Sequence, residues 1–149
     1  MNFLIDFHGV LTDGSMSIAH NGEYLFDHIH TRDVRAIREL IARGYVVTIL
    51  TASSNPVLRA FATRVQADLV VARDKSKLLN QYYPYLAIGD DAWDVQMLEE
   101  AERAFCPADA DSSVLRIEGV EVLGTEGGRG CIAELVGKLC LDAAKILVA

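Results

Sequence analysis

The sequence has little positive charge. Its 14 lysine and arginine residues are outnumbered by 21 aspartate and glutamate residues, so the formal net charge is −7 at pH 7. Proteins that bind nucleic acid or anionic membranes usually present basic surfaces, and we therefore expect neither as a partner. An acidic protein that handles phosphate needs a cation beside its own carboxylates, because like charges repel.

Cysteine is scarce, and nothing at the N-terminus is typical of a signal peptide. The three cysteines, Cys106, Cys131 and Cys140, are odd in number and lack metal-ligand spacing, so we interpret them as reduced, apolar residues. The first residues include neither a basic region nor a long apolar core. The apolar segment 131–149 contains four charged residues, which argues against a spanning helix. We predict a cytoplasmic protein.

Short apolar runs alternate with helical patterns along the chain. With 149 residues, 51% of them hydrophobic, the chain fits one domain over residues 1–149. We predict strands at 2–5, 45–50, 68–71, 85–88, 103–106 and 120–123, and helices at 32–43, 56–65, about 73–83, about 92–101, 109–115 and 131–149. This alternation predicts an α/β fold with a doubly wound parallel sheet, Rossmann-like in type.

Two further segments lie outside that alternation. Asn21-Gly22 separates two strand-like runs, which is a strong signal of a β-hairpin, and we predict a hairpin flap over about residues 15–30. A glycine-rich link leads into the final helix, so that tail and helix together occupy about residues 124–149. The charged residues of that helix form one stripe, which favours burial of its other faces in a subunit interface.

Polar residues follow several predicted strands at the point where each strand ends. The carboxyl ends of parallel strands meet at one edge of a sheet, where ligands bind. This edge is expected to gather Asp6 and His8, Thr51, either Lys75 or Lys77, and Asp90 with Asp91. Clustered carboxylates require a cation, and an all-oxygen set suits Mg²⁺. Lysine and threonine suit a phosphoryl group, as a charge and as a hydroxyl donor.

These residue types suit phosphoryl transfer to a carboxylate. Attack of Asp6 on phosphorus would give an aspartyl-phosphate, which water then hydrolyses. His8 lies two positions on, on the same side of an extended segment, and could act as general acid and base. The alternative interpretation is that Asp6 and Asp13 are turn residues and His8 is a surface histidine.

Four motifs and a glycine-rich tail, in this order, resemble the haloacid dehalogenase superfamily, specifically its small capless members similar to 3-deoxy-octulosonate 8-phosphate phosphatase. Residues 6–14 resemble D-x-D-G-V-x-T-D-G, and Thr51 resembles the hydroxyl residue of the second motif. Lys77 with Leu78 resembles the third motif, residues 89–94 the G-D-D-x-x-D of the fourth, and residues 127–134 the tail. The interval between Thr51 and Lys77 leaves no room for a cap domain.

The resemblance implies a Mg²⁺-dependent phosphomonoester hydrolase that acts on a phosphorylated sugar acid or a related sugar phosphate. Mg²⁺ would be held by the carboxylates of Asp6 and Asp90 and by the backbone carbonyl of His8. Thr51 and Lys77 would bind the phosphate, with Lys75 as the alternative to Lys77. The resemblance also implies a homotetramer, in which the flaps form a barrel and a neighbour's tail closes each site.

Several other residues keep two interpretations. Gly9, Arg32 and Arg129 are candidate substrate-binding residues, although Arg32 could simply begin a helix and Arg129 could be a solvated loop residue. Asp91 and Asp94 are expected to orient the lysine and the metal ligands rather than bind the metal. Trp93 could lie in the core, in an interface or against the substrate.

The sequence departs from the family pattern at three places. His8 replaces the second aspartate of the first motif, Ala52-Ser53 replaces the arginine of T-G-R, and Ala133-Glu134 replaces the R-E of the tail. The last two changes remove cations that could hold a sugar-acid carboxylate or the phosphate. Because of His8, the alternative function is a catalytically weak or inactive member with an oligomerising or regulatory role. A receiver domain is a third interpretation, but there the lysine follows the acidic pair in sequence.

Overall fold

The computed structural model describes residues 1–24 and 28–148, which form a parallel sheet covered by helices on both faces. The six strands follow the order β3-β2-β1-β4-β5-β6, and every pairing is parallel. Their bounds are β1 (Asn2–Ile5), β2 (Val46–Thr51), β3 (Asp68–Val71), β4 (Tyr85–Ile88), β5 (Arg103–Cys106) and β6 (Glu121–Val122). The predicted doubly wound sheet is confirmed.

In the described residues, four α-helices and two 3₁₀ helices connect these strands, and a fifth α-helix follows β6. They are α1 (Thr31–Ala42), α2 (Pro56–Val65), α3 (Val95–Glu99), α4 (Ser112–Leu115), α5 (Cys131–Val148) and the 3₁₀ helices Lys75–Gln81 and Ala92–Asp94. The helix predicted over 109–115 is therefore confined to its last turn. Within the described residues, no helix combines the length and the apolar character that crossing a membrane requires.

The helix ends follow from local sequence chemistry. Asn55 caps α2 by accepting a hydrogen bond from the Val57 amide at 3.0 Å, and Pro56 occupies the first turn, where its missing N–H costs nothing. Helix α1 ends before Gly44, whose φ of +94° lies in the left-handed region that glycine adopts without strain.

Strand β1 has helices on both sides, and its side chains alternate between two cores. Phe3 and Ile5 pack into the core beneath α1, α2 and α5, whereas Leu4 packs into the core beneath α3 and α4. This alternation is the period-two geometry of a strand. A strand buried on both faces explains the continuous apolar run before Asp6.

The chain order reverses between β1 and β4, which lie side by side at the centre of the sheet. Ile5 is in register with Ile88, and the Asp6 amide donates to the Ile88 carbonyl at 3.1 Å. Asp6 and the residues that follow β4 therefore begin at the same point of the rim. Such a switch point is where open α/β sheets bind ligands.

The flap and the glycine-rich link lie above this rim. Antiparallel pairing in the flap, as far as the structure describes it, consists of one bridge between Ile18 and Tyr24. The rest of the predicted second strand includes residues 25–27, which lie outside the described residues. In the link, the Gly128 amide donates to the Val10 carbonyl at 2.9 Å, so the link packs on the loop that follows Asp6.

Helix α5 packs beside α1 through a buried carboxylate. Asp33, in the first turn of α1, is 0% exposed. Its Oδ1 accepts a hydrogen bond from the Ala133 amide at 3.0 Å. Amides in the first turn of a helix have no partner within the helix, so Asp33 supplies one for α5 and connects the two helices.

Candidate active site

Asp6 lies directly after β1 and is paired with a buried lysine. Asp6 is only 8% exposed, and its Oδ1 accepts a hydrogen bond from Lys75 Nζ at 2.6 Å. Burial and the neighbouring Asp94 raise the pKa of Asp6, while Lys75 opposes that rise. The predicted nucleophile is therefore a buried carboxylate held in place by a cation.

Lys75, rather than Lys77, reaches the predicted site. Lys75 begins a 3₁₀ helix and is 6% exposed, whereas the Lys77 side chain is 79% exposed and pairs with Asp74 at 3.6 Å. A 3₁₀ helix has about three residues per turn, so residues two positions apart face different directions. The structure thus replaces Lys77 by Lys75 as the candidate phosphate ligand.

Asp94 fixes Lys75 from the side opposite Asp6. Its Oδ1 accepts from Lys75 Nζ at 2.6 Å, and its Oδ2 accepts from the amides of Asp90 and Asp91 at 3.0 and 3.2 Å. Both oxygens of Asp94 are therefore engaged. Burial disfavours the charge on Lys75, but Asp6 and Asp94 outweigh burial and raise the pKa of Lys75, which keeps the ammonium charged.

Asp91 stabilises the turn that presents Asp94. It caps the 3₁₀ helix Ala92–Asp94, and the two aspartates form a reciprocal capping box. Its Oδ1 accepts from the Ala92 amide at 2.6 Å. The acidic spacing of residues 89–94 thus has a local structural cause as well as a chemical one, because capping places Asp90 and Asp94 on the rim.

Asp90 completes a group of three carboxylates, which we call the rim cluster: Asp6, Asp90 and Asp94. One ligand oxygen from each lies within 4.8 Å of the others. Asp90 Oδ1 is buried and has no hydrogen-bond partner among the described residues, and burial together with the charge of Asp6 raises the pKa of Asp90. A divalent cation would satisfy the unpartnered oxygen and relieve the repulsion. The residues present therefore fit a metal.

Gly9 allows the loop after β1 to approach the rim cluster. Its φ is +86°, and a Cβ at this position would overlap the Asp90 carboxylate. The Gly9 amide donates to Thr12 Oγ1 at 3.3 Å. The structure thus gives Gly9 a steric reason for its identity, close to the predicted substrate position.

His8 and Thr51 lie on the walls of the site. His8 Nε2 is 3.1 Å from the Tyr24 hydroxyl, so the flap contacts the candidate acid and base. Thr51 ends β2, is 2% exposed, and accepts a hydrogen bond at Oγ1 from the Ser53 amide at 3.1 Å. That bond occupies a lone pair of the hydroxyl and leaves its proton available to an oxyanion.

These residues surround a cavity of about 380 Å³, which we call the reaction cavity. It is lined by Asp6, His8, Met16, Tyr24, Thr51, Ala52, Ser53, Arg73, Lys75, Asp91, Trp93 and Asp94. The sequence interpretation did not single out Met16, Tyr24 or Arg73 as site residues. The predicted position of the flap over the rim could have indicated Met16 and Tyr24. The position of Arg73, two residues before Lys75, could have indicated Arg73.

Two predicted substrate-binding residues lie away from this cavity. Arg32 lines a separate cavity of about 160 Å³ between α1 and α5. Arg129 is exposed in the glycine-rich link and is absent from the lining of the reaction cavity. Within the described part of one chain, neither arginine reaches the candidate phosphate site.

The chain is similar over most of its length to a phosphatase. It is 29% identical over 143 residues to the 3-deoxy-D-manno-octulosonate 8-phosphate phosphatase KdsC of Haemophilus influenzae, covering 89% of this chain and 78% of that protein. No family model matches the chain.

Solved structures agree with that similarity. The cobalt-bound deoxy-D-mannose-octulosonate 8-phosphate phosphatase of Haemophilus influenzae matches with a TM-score of 0.86 and 25% identity, over 94% of this chain and 86% of that one. A protein described as a HAD family hydrolase from Streptomyces avermitilis matches with a TM-score of 0.85 and 26% identity, over 91% and 88%. The enzyme from Moraxella catarrhalis, in complex with magnesium, phosphate and KDO, shares the fold with a TM-score of 0.85 at 18% identity, over 99% and 92%.

The fold, the motif order and these similarities confirm the resemblance to the haloacid dehalogenase superfamily, and with it the prediction of a phosphatase. Within that superfamily, the chain is similar to the 3-deoxy-octulosonate 8-phosphate phosphatases of the KdsC type.

Proposed function

We propose that this protein is a Mg²⁺-dependent phosphomonoester hydrolase that forms an aspartyl-phosphate on Asp6 and acts on a phosphorylated sugar acid or a related sugar phosphate. The observation that carries the proposal is the contact of 2.6 Å between buried Asp6 and buried Lys75, beside a carboxylate with an unpartnered oxygen, Asp90. A buried carboxylate as nucleophile, a buried ammonium group beside it and a second carboxylate that lacks a cation suit the transfer of a phosphoryl group.

The first step follows from the positions of Asp6 and Lys75. Lys75 holds Oδ1 of Asp6, so the other carboxylate oxygen, Oδ2, is the one directed to phosphorus. A bond forms between Oδ2 and phosphorus, and the bond between phosphorus and the ester oxygen breaks. Lys75 and the Thr51 hydroxyl stabilise the charge that develops on the transferred group.

His8 moves the proton in both steps. In the first step, the imidazolium gives its proton to the departing ester oxygen, which leaves as an alcohol. In the second, neutral His8 takes a proton from water, whose oxygen attacks the phosphorus of the aspartyl-phosphate and releases inorganic phosphate and the Asp6 carboxylate. An imidazole can serve as a general acid in one step and as a general base in the next.

The rim cluster provides the metal site. Asp6, Asp90 and the backbone carbonyl of His8 would hold Mg²⁺, while Asp94 is occupied by Lys75 and two amides. When bound, the ion neutralises clustered negative charge, which includes that of the phosphate. The Haemophilus structure is a cobalt-bound form and the Moraxella structure is a complex with magnesium, which supports the binding of a divalent ion by this chain.

Assembly as a homotetramer belongs to the same proposal. In the flap, Met16 and Ile18 are 55% and 59% exposed, and on α5 Leu141 is 63% exposed. Exposed apolar residues on the two segments expected to meet neighbours support contacts between subunits. Gel filtration with light scattering tests the assembly, and a monomer at micromolar concentration would contradict it.

A catalytically weak or inactive protein is the second candidate, because His8 stands where the family has aspartate. A panel of phosphorylated sugars and nucleotides, assayed with and without Mg²⁺, separates the two. We expect the native protein to hydrolyse at least one ester only with Mg²⁺, and Asp6→Asn to lose at least about 1000-fold of that rate. Asp13→Asn is the matched control, since exposed Asp13 accepts hydrogen bonds from Ser15 and is not among the described residues that line the reaction cavity.

If the native protein hydrolyses none of these esters, the variant His8→Asp shows why. Activity in His8→Asp but not in the native protein would favour the regulatory alternative, because the phosphate site would then be intact and only the acid and base deficient. Hydrolysis by Asp6→Asn at the native rate would contradict the aspartyl-phosphate mechanism.

A further inference from the structure

We propose that Arg73 and Trp93 form a leaving-group subsite that selects phosphate esters carrying a second anionic group. The inference rests on the proposed function and deepens it, because it assigns the specificity that the phosphate site alone does not provide. Arg73 lies outside the four motifs that carry the family resemblance. Trp93 lies within the fourth motif, but at one of its variable positions.

Lys75 is already committed within the reaction cavity. Its ammonium contacts both Asp6 and Asp94 at 2.6 Å, so its charge is used to order the nucleophile and to meet the phosphate. The loop after β2 contributes Ala52 and Ser53 to the same cavity, and these side chains carry no charge. A second anion on the substrate would therefore find no unused cation on these two walls.

Arg73 supplies that cation from another element. It lies between β3 and the 3₁₀ helix Lys75–Gln81, is exposed, and lines the reaction cavity. In the described part of the chain it forms neither an ion pair nor a side-chain hydrogen bond, unlike Lys75. A guanidinium presents several donors in a planar fork, which matches a carboxylate or a phosphate.

The backbone holds Arg73 at this wall. The amide of Ala72 donates to the Thr51 carbonyl at 2.8 Å, which fixes the residue before Arg73 against the end of β2. On the other side, Asp74 caps the 3₁₀ helix by accepting from the Ser76 amide at 3.2 Å. Arg73 is thus anchored on both sides, between the residues that present Thr51 and Lys75.

Trp93 faces the same opening. It is 79% exposed, which excludes the core interpretation, and the capping box of Asp91 and Asp94 fixes the turn on which it lies. A large, exposed aromatic ring beside a polar cavity offers an apolar face to the carbon atoms of a substrate. Its position pairs with Arg73, which can bind a charged end.

A second cavity of about 440 Å³ continues beyond this pair. It shares Arg73, Lys75 and Trp93 with the reaction cavity and adds the side chains of Asp74, Ser76 and Gln96. The charge of Asp74 is already paired with Lys77, and the same carboxylate accepts from the Ser76 amide. A substrate whose phosphate lies at Asp6 can therefore extend past Arg73 into polar surroundings. The substrate class that fits is a phosphate ester with an acyclic or sugar-like chain and an anion at the far end.

Trp93 is the only tryptophan in the sequence, so its fluorescence reports ligands at the subsite directly. The titration uses Asp6→Asn protein with Mg²⁺, which prevents turnover. Glucose 6-phosphate and 6-phosphogluconate are compared because the first is a ring with a neutral far end, whereas the second is an open chain that ends in a carboxylate. Arg73→Gln separates the effect of the carboxylate from that of the open chain, since only the former requires the guanidinium. Fructose 1,6-bisphosphate tests a second phosphate in place of the carboxylate.

We expect 6-phosphogluconate to change the Trp93 emission and to bind about tenfold more tightly than glucose 6-phosphate, the scale of one hydrogen bond to a charged group. Arg73→Gln should reduce this preference to about onefold, and Arg73→Lys should retain part of it. Arg59→Gln is the control, since Arg59 lines a cavity with Asp68 and Thr48 away from the site. The same ratios are expected in kcat/KM for the variants with Asp6 intact.

The outcomes separate the subsite from the phosphatase. An unchanged preference in Arg73→Gln, or calorimetric binding without a change in Trp93 emission, overturns the subsite and leaves the phosphatase standing. An Arg73-dependent preference without turnover by the native protein supports the subsite and contradicts the phosphatase. Absence of both binding and turnover for all three compounds overturns both.

Discussion

Two carboxylates, one in the rim cluster and one between α1 and α5, each have a buried oxygen without a hydrogen-bond partner among the described residues, but their surroundings differ. Asp90 Oδ1 and Asp33 Oδ2 are the buried side-chain oxygens without a hydrogen-bond partner among the described residues. Asp90 has the carboxylates of Asp6 and Asp94 within 4.8 Å, and both of these line the reaction cavity. Asp33 is completely buried, and its other oxygen accepts from the Ala133 amide.

The difference shows when an unpartnered oxygen indicates a ligand. Around Asp90, the neighbours increase the negative charge, so a cation is the remedy that the surroundings leave open. Around Asp33, the neighbours are the first turns of two helices, whose amides carry partial positive charge. The first arrangement suits chemistry, whereas the second joins two helices at some cost in stability.

Removal of Lys75 should lower activity strongly, second only to Asp6→Asn, because Lys75 contacts two carboxylates of the rim cluster. Lys75→Met is expected to lower kcat/KM for the best phosphate ester by about 100-fold or more, since the transferred group loses a preorganised charge. Steady-state kinetics with saturating Mg²⁺ measures the change. Lys77→Met is the matched control, because Lys77 is exposed and pairs with Asp74 on the surface.

The same pair of variants decides which lysine serves the site. A loss of activity in Lys77→Met that equals the loss in Lys75→Met would contradict the assignment. Circular dichroism of each variant separates loss of the phosphate ligand from loss of the fold.

Asp33, the buried carboxylate between α1 and α5, should make the stability of the fold depend on pH. Burial raises the pKa of Asp33 from 3.8 to about 6, so the folded protein holds this proton more tightly than the unfolded chain. The contribution of Asp33 to stability is therefore greatest below pH ~4 and is lost as the pH rises through ~6, by up to about 3 kcal/mol.

Urea unfolding of the native protein and of Asp33→Asn between pH 4.5 and 7.5 isolates this term. The amide oxygen of asparagine can still accept from Ala133 but does not titrate. We expect the free energy of unfolding of Asp33→Asn to rise relative to the native value as the pH increases, and to level off above pH ~6. Two parallel curves would show that Asp33 does not carry the raised pKa.

Most of the fold could be predicted from the sequence, because the patterns are local. Alternating apolar runs and helices indicated the parallel sheet, and Pro56 and Gly44 marked helix ends that the structure confirms. The position of Asp6 on the rim followed from the same topology. The helices predicted over about 73–83 and over 109–115 are shorter in the structure, at Lys75–Gln81 and Ser112–Leu115, and the first is a 3₁₀ helix. Weak local signals leave packing to decide their type and length.

The site could be predicted only in part, because side-chain direction depends on three-dimensional geometry. Sequence motifs favoured Lys77, but the 3₁₀ turn brings Lys75 inward. The contact of Arg73 and Trp93 with one cavity depends on two connections that are distant in sequence. Arg32 and Arg129 were chosen by resemblance, which carries no information on which way an exposed arginine extends.

Isothermal titration of Mg²⁺ into the native protein, Asp90→Asn and Asp33→Asn tests the central claim most directly. Asparagine matches aspartate in shape but lacks its charge, so each variant changes one of the two compared carboxylates with little change in packing. We predict saturable Mg²⁺ binding in the native protein and in Asp33→Asn, and its loss in Asp90→Asn. Equal Mg²⁺ binding by Asp90→Asn and the native protein would contradict the assignment of the rim cluster as the metal site of a phosphatase.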